Sequence, residues 1–489
     1  MTARARRPLR TPPGFPADVL PPGTRARARR LLESTLVLLG ELTDSGATAG
    51  ATRWQVDHDL LDAHLLLPHV IAAANGLDAP LPSPYPLSAP GGGWVLVDLG
   101  PDDEPTWATL RAVLDDEVRA GGPPSDAEQL ARRAQEWRLA VTPYRPPRTV
   151  TSGPLRVAAA DANPTDPAST GAGTSPPART AAGPPGQPQR FFGPGSSAPG
   201  RPLAGVRIID LTAMWAGPLA TWLAASSGAE VVKVEAASRR DGFRRGARPV
   251  AAGPGDGALF VALDHGKTHV ELDLRLPADH QRFLELVGTA DVVIDSFSRR
   301  VRANLGIAPD RLAGGRPDLI DLSLTAFDPA GPQADWVAYG AGVHAASGLA
   351  LATRTTAAAP MPPAPTLVPY ADPLAGLELF LAMVGALVAR IRGVTGPWRI
   401  ERSLEGAIAP LLAVAAAERT APTDPAERTA PTDPAERTAP TDPAERSRAC
   451  AEEVASWAGH AAQRSVRRDG CAVLPPPWRL LGTDPEARP

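Results

Sequence analysis

GVRIIDL at 205–211, AGPLATWLAAS at 216–226 and AEVVKVE at 229–235 decide the fold. The first run is apolar until its closing Asp–Leu, the pattern of a strand buried on both faces of a parallel sheet. AGPLATWLAAS reads as a helix, and AEVVKVE as the next strand. Two more runs of the same kind follow, ADVVIDSF at 290–297 and DLIDLSLTAF at 318–327, with helical stretches between them. Strand, helix, strand alternation predicts an α/β fold built on an open parallel sheet of Rossmann type. A long apolar helix over 373–392 closes the block, whose expected extent is 201–416.

Upstream, residues 26–145 predict a smaller α+β domain. LLESTLVLLGEL at 31–42 has helical spacing, and VDHDLLDAHLLLPHVIAAA reads as a helix broken near Pro68. GGGWVLVDLG at 91–100 reads as a strand, and PSDAEQLARRAQEW at 124–137 as a helix with a capping box from Ser125 to Glu128. Residues 1–25, rich in arginine and proline, read as disordered. Residues 146–200, dense in Pro, Gly, Ser, Thr and Ala, read as a linker. Downstream, AERTAPTDP occurs three times between Ala417 and Pro443 and a fourth copy begins. A nine-residue period with two prolines per copy fits neither a heptad nor a solenoid, so 417–446 reads as a solvated low-complexity insert. The tail, 447–489, is expected to carry one helix over 449–463.

Composition narrows the function. The chain has 489 residues, 43% of them hydrophobic, enough for a sizeable core. A net charge of −3 argues against bulk electrostatic binding of nucleic acid. Two cysteines, Cys450 and Cys471, exclude a disulfide scaffold and a cysteine-rich metal site. The longest apolar run, LELFLAMVGALVARI at 377–391, falls short of a span of about 20 residues and carries Glu378 and Arg390. The basic N-terminus lacks the apolar segment of a signal peptide, so a soluble cytoplasmic protein without membrane partners is expected. Among 50 basic residues lysine stands only at Lys233 and Lys267, both in the Rossmann-like block. Codon bias accounts for the arginines, and chance can account for the placement. A chain so poor in lysine can also be expected to keep it where a compact ammonium is needed rather than a planar fork.

Four chemistries can be weighed from motifs. Glu235 stands where a ribose-binding acid would sit, but the turn LTAMWAGPLA lacks GxGxxG, and no Walker-type loop is present. His58, His64 and His69 lack HExxH or zinc-finger spacing and read as ordinary histidines, with no metal site. No GxSxG elbow anchors a serine hydrolase. Asp372, in PYADPLAGLELF, is followed by proline and reads locally as a helix N-cap with Pro at N1. A helix N-terminus also holds a carboxylate ionised, and an ionised carboxylate there can attack an acyl carbonyl. Both readings stay open on local sequence alone.

RPLAGVRIIDLTAMWAGPLATWLAASSGAEVVKVEAASRRDGFR resembles the opening of class III CoA-transferases, the carnitine/bile-acid type. FVALDHGKTHVELDL resembles that family's LNRGK-type segment, and ADVVIDSF with NLGI resembles its ENF…LGL stretch. YADPLAGLELFLAMVGALVARIRGVTG resembles the helix that carries its catalytic aspartate. The likeness runs in order over about 202–404, while PYPLSAPGGGWVLVDLG resembles small-domain material that ordinarily follows, an apparently permuted or fused arrangement.

The resemblance implies a transferase moving CoA from an acyl-CoA to a carboxylic acid through an aspartyl-CoA thioester. Asp372 would be the nucleophile, Lys233 and Lys267 would meet the CoA phosphates, and the chain would be a homodimer. No permanently bound cofactor is implied, CoA being substrate. The alternatives are an acyl-CoA racemase of the same superfamily and a non-catalytic CoA-binding or assembly protein. Three motifs depart from the family: Tyr339–Gly340 replaces its YD pair, FSRR its FRPG, and TGPWR its TGRGQ.

Overall fold

The computed structural model describes residues 23–43, 54–77, 84–100, 102–147, 156–159, 201–352, 368–394, 396–420, 458–459 and 461–480. Residues 1–22, the stretch 160–200, most of the nonapeptide repeat and most of the helix expected at 449–463 lie outside them.

The expected βαβ units are present. Strand β6 (Arg207–Leu211), helix α6 (Ala216–Ser226) and strand β7 (Glu230–Glu235) open the block. They are followed by α7 (Ala258–Asp264), β8 (Thr268–Glu271), α8 (Pro277–Gly288), β9 (Val292–Asp295), α9 (Arg299–Asn304), α10 (Pro309–Gly315) and β10 (Ile320–Thr325). Then come α11 (Gly340–Ser347), α12 (Leu349–Ala352), α13 (Ala371–Ile391), β11 (Trp398–Ser403) and α14 (Leu404–Thr420), the last running into the first repeat.

The sheet order is β11-β10-β9-β6-β7-β8, all parallel. From β6 the chain steps outward through β7 and β8, then crosses back to β9, β10 and β11. This is the doubly wound Rossmann order, with its topological switch point between β6 and β9. In such units the helices return antiparallel to the strands, so α6 and α13 begin at the carboxyl edge of the sheet. A short strand, β5 (Arg156–Ala159), joins antiparallel to β11. The stretch expected to be only linker therefore supplies an edge strand. Its RVAA was masked in the sequence by the Pro/Gly-rich composition on either side.

Helix α13 is apolar and long enough to cross a membrane, yet most of its surface is buried among protein elements. Its polar interruption is satisfied inside: Glu378 accepts from Arg27 and Arg402. Gly376 lets α13 approach α6 closely, since a Cβ there would lie 2.7 Å from the Ala216 carbonyl oxygen.

The N-terminal region divides in two. Helices α1 (Thr24–Thr43), α2 (His58–Leu65) and α3 (Leu67–Asn75), with strand β1 (Trp54–Val56) between the first two, share the main core with α6 and α13. Strands β2 (Tyr85–Ser88), β3 (Trp94–Val97) and β4 (Val141–Pro143) form a separate antiparallel sheet backed by α4 (Glu104–Arg119) and α5 (Ala127–Glu136). Its own core includes Val95, Val97, Trp107, Leu110 and Leu130. The capping box of α5 is shifted by one residue, from Asp126 to Gln129, because Asp126 rather than Ser125 takes the extended N-cap conformation.

The tail expected to be helical carries strands among its described residues: β12 (Val466–Arg468), β13 (Cys471–Val473) and β14 (Trp478–Leu480). Asp469 and Gly470 both have positive φ, 45° and 77°, as a two-residue hairpin turn between β12 and β13 demands. Strand β14 pairs antiparallel with β1, tying the tail to the N-terminal helices.

Candidate active site

Asp372 lies in the first turn of α13, at the carboxyl edge of the sheet. The helix begins two residues earlier than a simple Asp-Pro cap requires: its N-cap is Tyr370, which makes no side-chain cap bond. Asp372 is thus free of capping duty. The residue is 8% exposed, and its carboxylate accepts the backbone N–H of Gly340, the first residue of α11. Burial pushes the carboxyl up to about 7, the charge of Asp98 adds to the rise, and the Gly340 N–H opposes it.

Three neighbouring segments frame Asp372. Asp372 and Gly376 share a face of α13 one turn apart, and Gly376 touches Ala216 at the start of α6. The turn leading into α6 is strained: Met214 has φ 70°, and its N–H is held by Asp241 Oδ2 at 3.0 Å. Beside it the indole N–H of Trp215 is buried without a partner. From α11, Tyr339 is pushed up to about 12 by burial first and then by Asp103 and Asp98, so its phenol keeps its proton. From the three-stranded sheet comes the acidic loop after β3. A Cβ on Gly100 of this loop would lie 3.1 Å from the Tyr339 hydroxyl.

His344 is fully enclosed on α11 against the Tyr370 ring, 4.1 Å between centroids. Its Nε2 accepts the Ala371 N–H at 3.3 Å, which assigns the proton to Nδ1. Burial drives its pKa down to about 3. A neutral imidazole whose lone pair is occupied by the first turn of α13 supports that helix and cannot act as a base from this position.

The two lysines occupy a different setting from the one the resemblance implied. Both ammonium groups are buried, with side chains 0% exposed. Lys233 Nζ meets the Thr212 carbonyl at 3.0 Å, Asp241 at 3.1 Å and Asp264 at 3.3 Å. Lys267 Nζ meets Asp210 at 3.1 Å, Asp264 at 3.0 Å and the Pro218 carbonyl at 3.2 Å. Each ammonium donates two hydrogen bonds, and Asp264 lies between the two as a shared ion-pair partner, an arrangement suited to a compact ammonium more than to a planar guanidinium fork. Burial alone would raise the Asp210 carboxyl, but Lys267 and Lys233 outweigh it and hold it at about 2. The cluster pins the turn between β6 and α6, because Asp241 also holds Met214.

Glu235 is a structural anchor, accepting from Arg244 and from the Asp241 N–H at 2.8 Å. His64 is buried with Nε2 2.9 Å from the Pro475 carbonyl. The residues missed by sequence reasoning are Asp98, Tyr339 in its proton-donor form, Gly340 and Trp215. Tyr339 and Gly340 were visible only as departures from a motif, and Asp98 lay in a strand with no motif at all.

The sequence profile of CoA-transferase family III matches residues 203–457, just over half of the chain. Succinate–glutarate CoA-transferase of Agrobacterium fabrum is 34% identical over 199 residues, covering 40% of this chain and 49% of that protein. Acetyl-CoA:oxalate CoA-transferase of Acetobacter aceti is 33% identical over 197 residues, covering 40% and 49%. A crystal structure of Rv3272 from M. tuberculosis overlaps 47% of this chain and 62% of that one at 30% identity, with a TM-score of 0.41. The chain spans about half the length of the curated relatives it matches. Over its parallel-sheet block, from the strand that opens at Arg207 through the helix that carries Asp372, the chain belongs to CoA-transferase family III.

Proposed function

We propose that the protein is a CoA-transferase in which Asp372 is the covalent nucleophile, an acyl-CoA the donor and a free carboxylic acid the acceptor. The observation that carries this reading is the placement of Asp372: a buried carboxylate in the first turn of α13, with no basic partner among the described residues, directed at the backbone N–H of Gly340. A carboxylate held without a cation keeps its electron pairs available for attack, which a salt-bridged one does not.

In the proposed sequence, Asp372 attacks the donor carbonyl and the C–S bond breaks, giving a mixed anhydride and CoA thiolate. The thiolate attacks the aspartyl carbonyl, releasing the donor acid and leaving an aspartyl-CoA thioester. The acceptor carboxylate attacks that thioester to give a second anhydride, and the returning thiolate completes the new acyl-CoA and frees Asp372. Thioester energy is conserved at each exchange, so no nucleotide is consumed. The Gly340 N–H favours the charged nucleophile, and the start of α6 places a helix N-terminus beside it. The relatives named above act on succinate, glutarate and oxalate, which points to small carboxylic acids as the first acceptors to try.

Intact-protein mass after incubation with a panel of acyl-CoAs tests the reading, with hydroxylamine trapping of the thioester. A CoA-sized adduct on the wild type, absent from Asp372→Asn, is the expected result. Folded protein that binds CoA with no adduct from any donor would overturn it.

A further inference from the structure

The segment that leads into α11 is held residue by residue by the N-terminal sheet and its helices. Arg138, just past the end of α5, donates to the Asp335 carbonyl at 2.6 Å. Trp336 packs against both the main core and the core of the three-stranded sheet. Its ring meets Phe327 edge-on at 6.2 Å, and the Arg145 guanidinium stands 5.5 Å from its centroid. Arg145 is itself fixed by two bonds to Glu128 of α5, at 2.6 and 2.7 Å. Val337 is paired with Gln135 of α5 through both of its backbone groups. Its N–H donates to Gln135 Oε1 at 2.6 Å, and its carbonyl accepts from Gln135 Nε2 at 2.8 Å. Nε2 also donates to the Val141 carbonyl of β4 at 3.2 Å.

That set of partners calls for a primary amide. One acceptor and two donors in a plane imitate the peptide of a neighbouring strand, which bonds both the N–H and the C=O of the residue opposite. A glutamate of the same shape has no donor when ionised, and an asparagine is one methylene short. Gln135 is buried, so its bonds have no competition from solvent. Two residues beyond Val337 the backbone of Tyr339 is extended, with φ −97° and ψ 176°. The next N–H, that of Gly340, is a first-turn donor of α11 that no helix carbonyl can take, and the Asp372 carboxylate accepts it. Helix α11 rests on the same sheet. Leu96 packs with Ala341 and Ala345, and a Cβ on Gly342 would lie 3.2 Å from Thr142 Oγ1.

We propose that Gln135 is a positioning residue for Asp372: through Val337 it sets where the Gly340 N–H stands, so that a side chain of the N-terminal region completes the site of the parallel-sheet block. Gln135 lies outside residues 203–457, which match the family profile, so the matching block by itself lacks this hold. The part this gives Gln135 in catalysis rests on the nucleophile reading above.

The test reads the Gly340 N–H directly and needs no acyl-CoA. Tyrosine precedes glycine only at Tyr339–Gly340, so 13C-carbonyl tyrosine with 15N-glycine isolates the Gly340 amide in a carbonyl-filtered NMR spectrum of the full chain. In the wild type this amide is expected downfield and slow to exchange, and Asp372→Asn gives the reference for loss of the charged acceptor. Folded Gln135→Met should move it toward that reference and speed its exchange about tenfold or more, the size of a lost bond to a charged group. A merely structural role would lower the melting temperature and leave the resonance in place. A Gly340 amide unmoved by Asp372→Asn, or by folded Gln135→Met, overturns the proposal. If Gln135→Met does not fold, Arg138→Gly decides on the same two outcomes, since it removes one hold on the segment while relieving a positive φ of 61°. In the transferase assay the variant should bind CoA as the wild type does and form adduct about tenfold more slowly or worse. A wild type that forms no adduct would count against the nucleophile and leave the amide result standing.

Discussion

Gly340 leaves the space that the Asp372 carboxylate fills: a Cβ on Gly340 would lie 2.0 Å from Asp372 Oδ2. The same residue donates its N–H to that carboxylate. Its φ is not in the left-handed region, so the requirement is for the missing side chain and not for backbone freedom. Gly340→Ala should fold, since α11 accepts alanine, but should displace the carboxylate from its donor. CoA-adduct formation is expected to fall by about a hundredfold, in keeping with the sensitivity of reaction rates to misplacement of about 1 Å. Adduct formation at the wild-type rate would show that Asp372 does not react from this position.

Asp372 should cost the fold stability at neutral pH. Its folded-state carboxyl titrates at about 7, above the 3.8 of the unfolded chain, so the folded state holds the proton more tightly. Stability from this group is therefore fully present below pH 4 and lost as pH rises toward 7. Asp372→Asn removes the ionisation, and melting curves should show the variant more stable at pH 8, by up to about 4 kcal/mol. Near pH 4 the two proteins should melt alike. An equal difference at both pH values would place the cause elsewhere.

Loss of either lysine should be felt throughout the sheet block. Lys267→Met leaves Asp210 and Asp264 buried with one ammonium between them, a change that costs roughly 3–5 kcal/mol in comparable buried pairs. Thermal unfolding followed by circular dichroism should show a midpoint lowered by several degrees or more. Lys267→Arg is expected to rescue poorly, because the fork cannot meet Asp210, Asp264 and the Pro218 carbonyl together. Full rescue by arginine would mean that only the charge matters.

The α6–α13 contact should couple packing to the site. A side chain at Gly376 meets the Ala216 carbonyl at 2.7 Å and Leu219 at 3.0 Å. Gly376→Val should therefore push the helices apart, lowering stability by about 1–3 kcal/mol and displacing Asp372 one turn away. Adduct yield and melting temperature measured on one preparation should both decline. A variant that loses stability but retains full adduct formation would separate the two.

Much of the fold was legible because its signals are local. Continuous apolar runs such as GVRIIDL, separated by helical stretches, specify buried parallel strands, and the alternation leaves few topologies. The strand Arg156–Ala159 was not legible, since four residues inside a Pro/Gly-rich region carry no period of their own and pair only because the edge of β11 is there to receive them. The hairpin at Asp469–Gly470 had a readable turn signal, hidden by strands of three residues each.

What the sequence by itself determined is the α/β class, the order of the parallel-sheet block and Asp372 as a candidate, because periodicity, turn chemistry and motif order are properties of neighbouring residues. The environment of Asp372 was decided only in three dimensions. Gly340 is 32 residues away in sequence and Asp98 further still, just after a strand of a different sheet. The surroundings of the lysines were likewise decided by folding. Local sequence marks an ammonium as available for phosphate, but whether it faces solvent or three buried acceptors depends on where Asp210, Asp241 and Asp264 converge. Charges and protons respond to distance through space, and that distance exists only once the chain has folded.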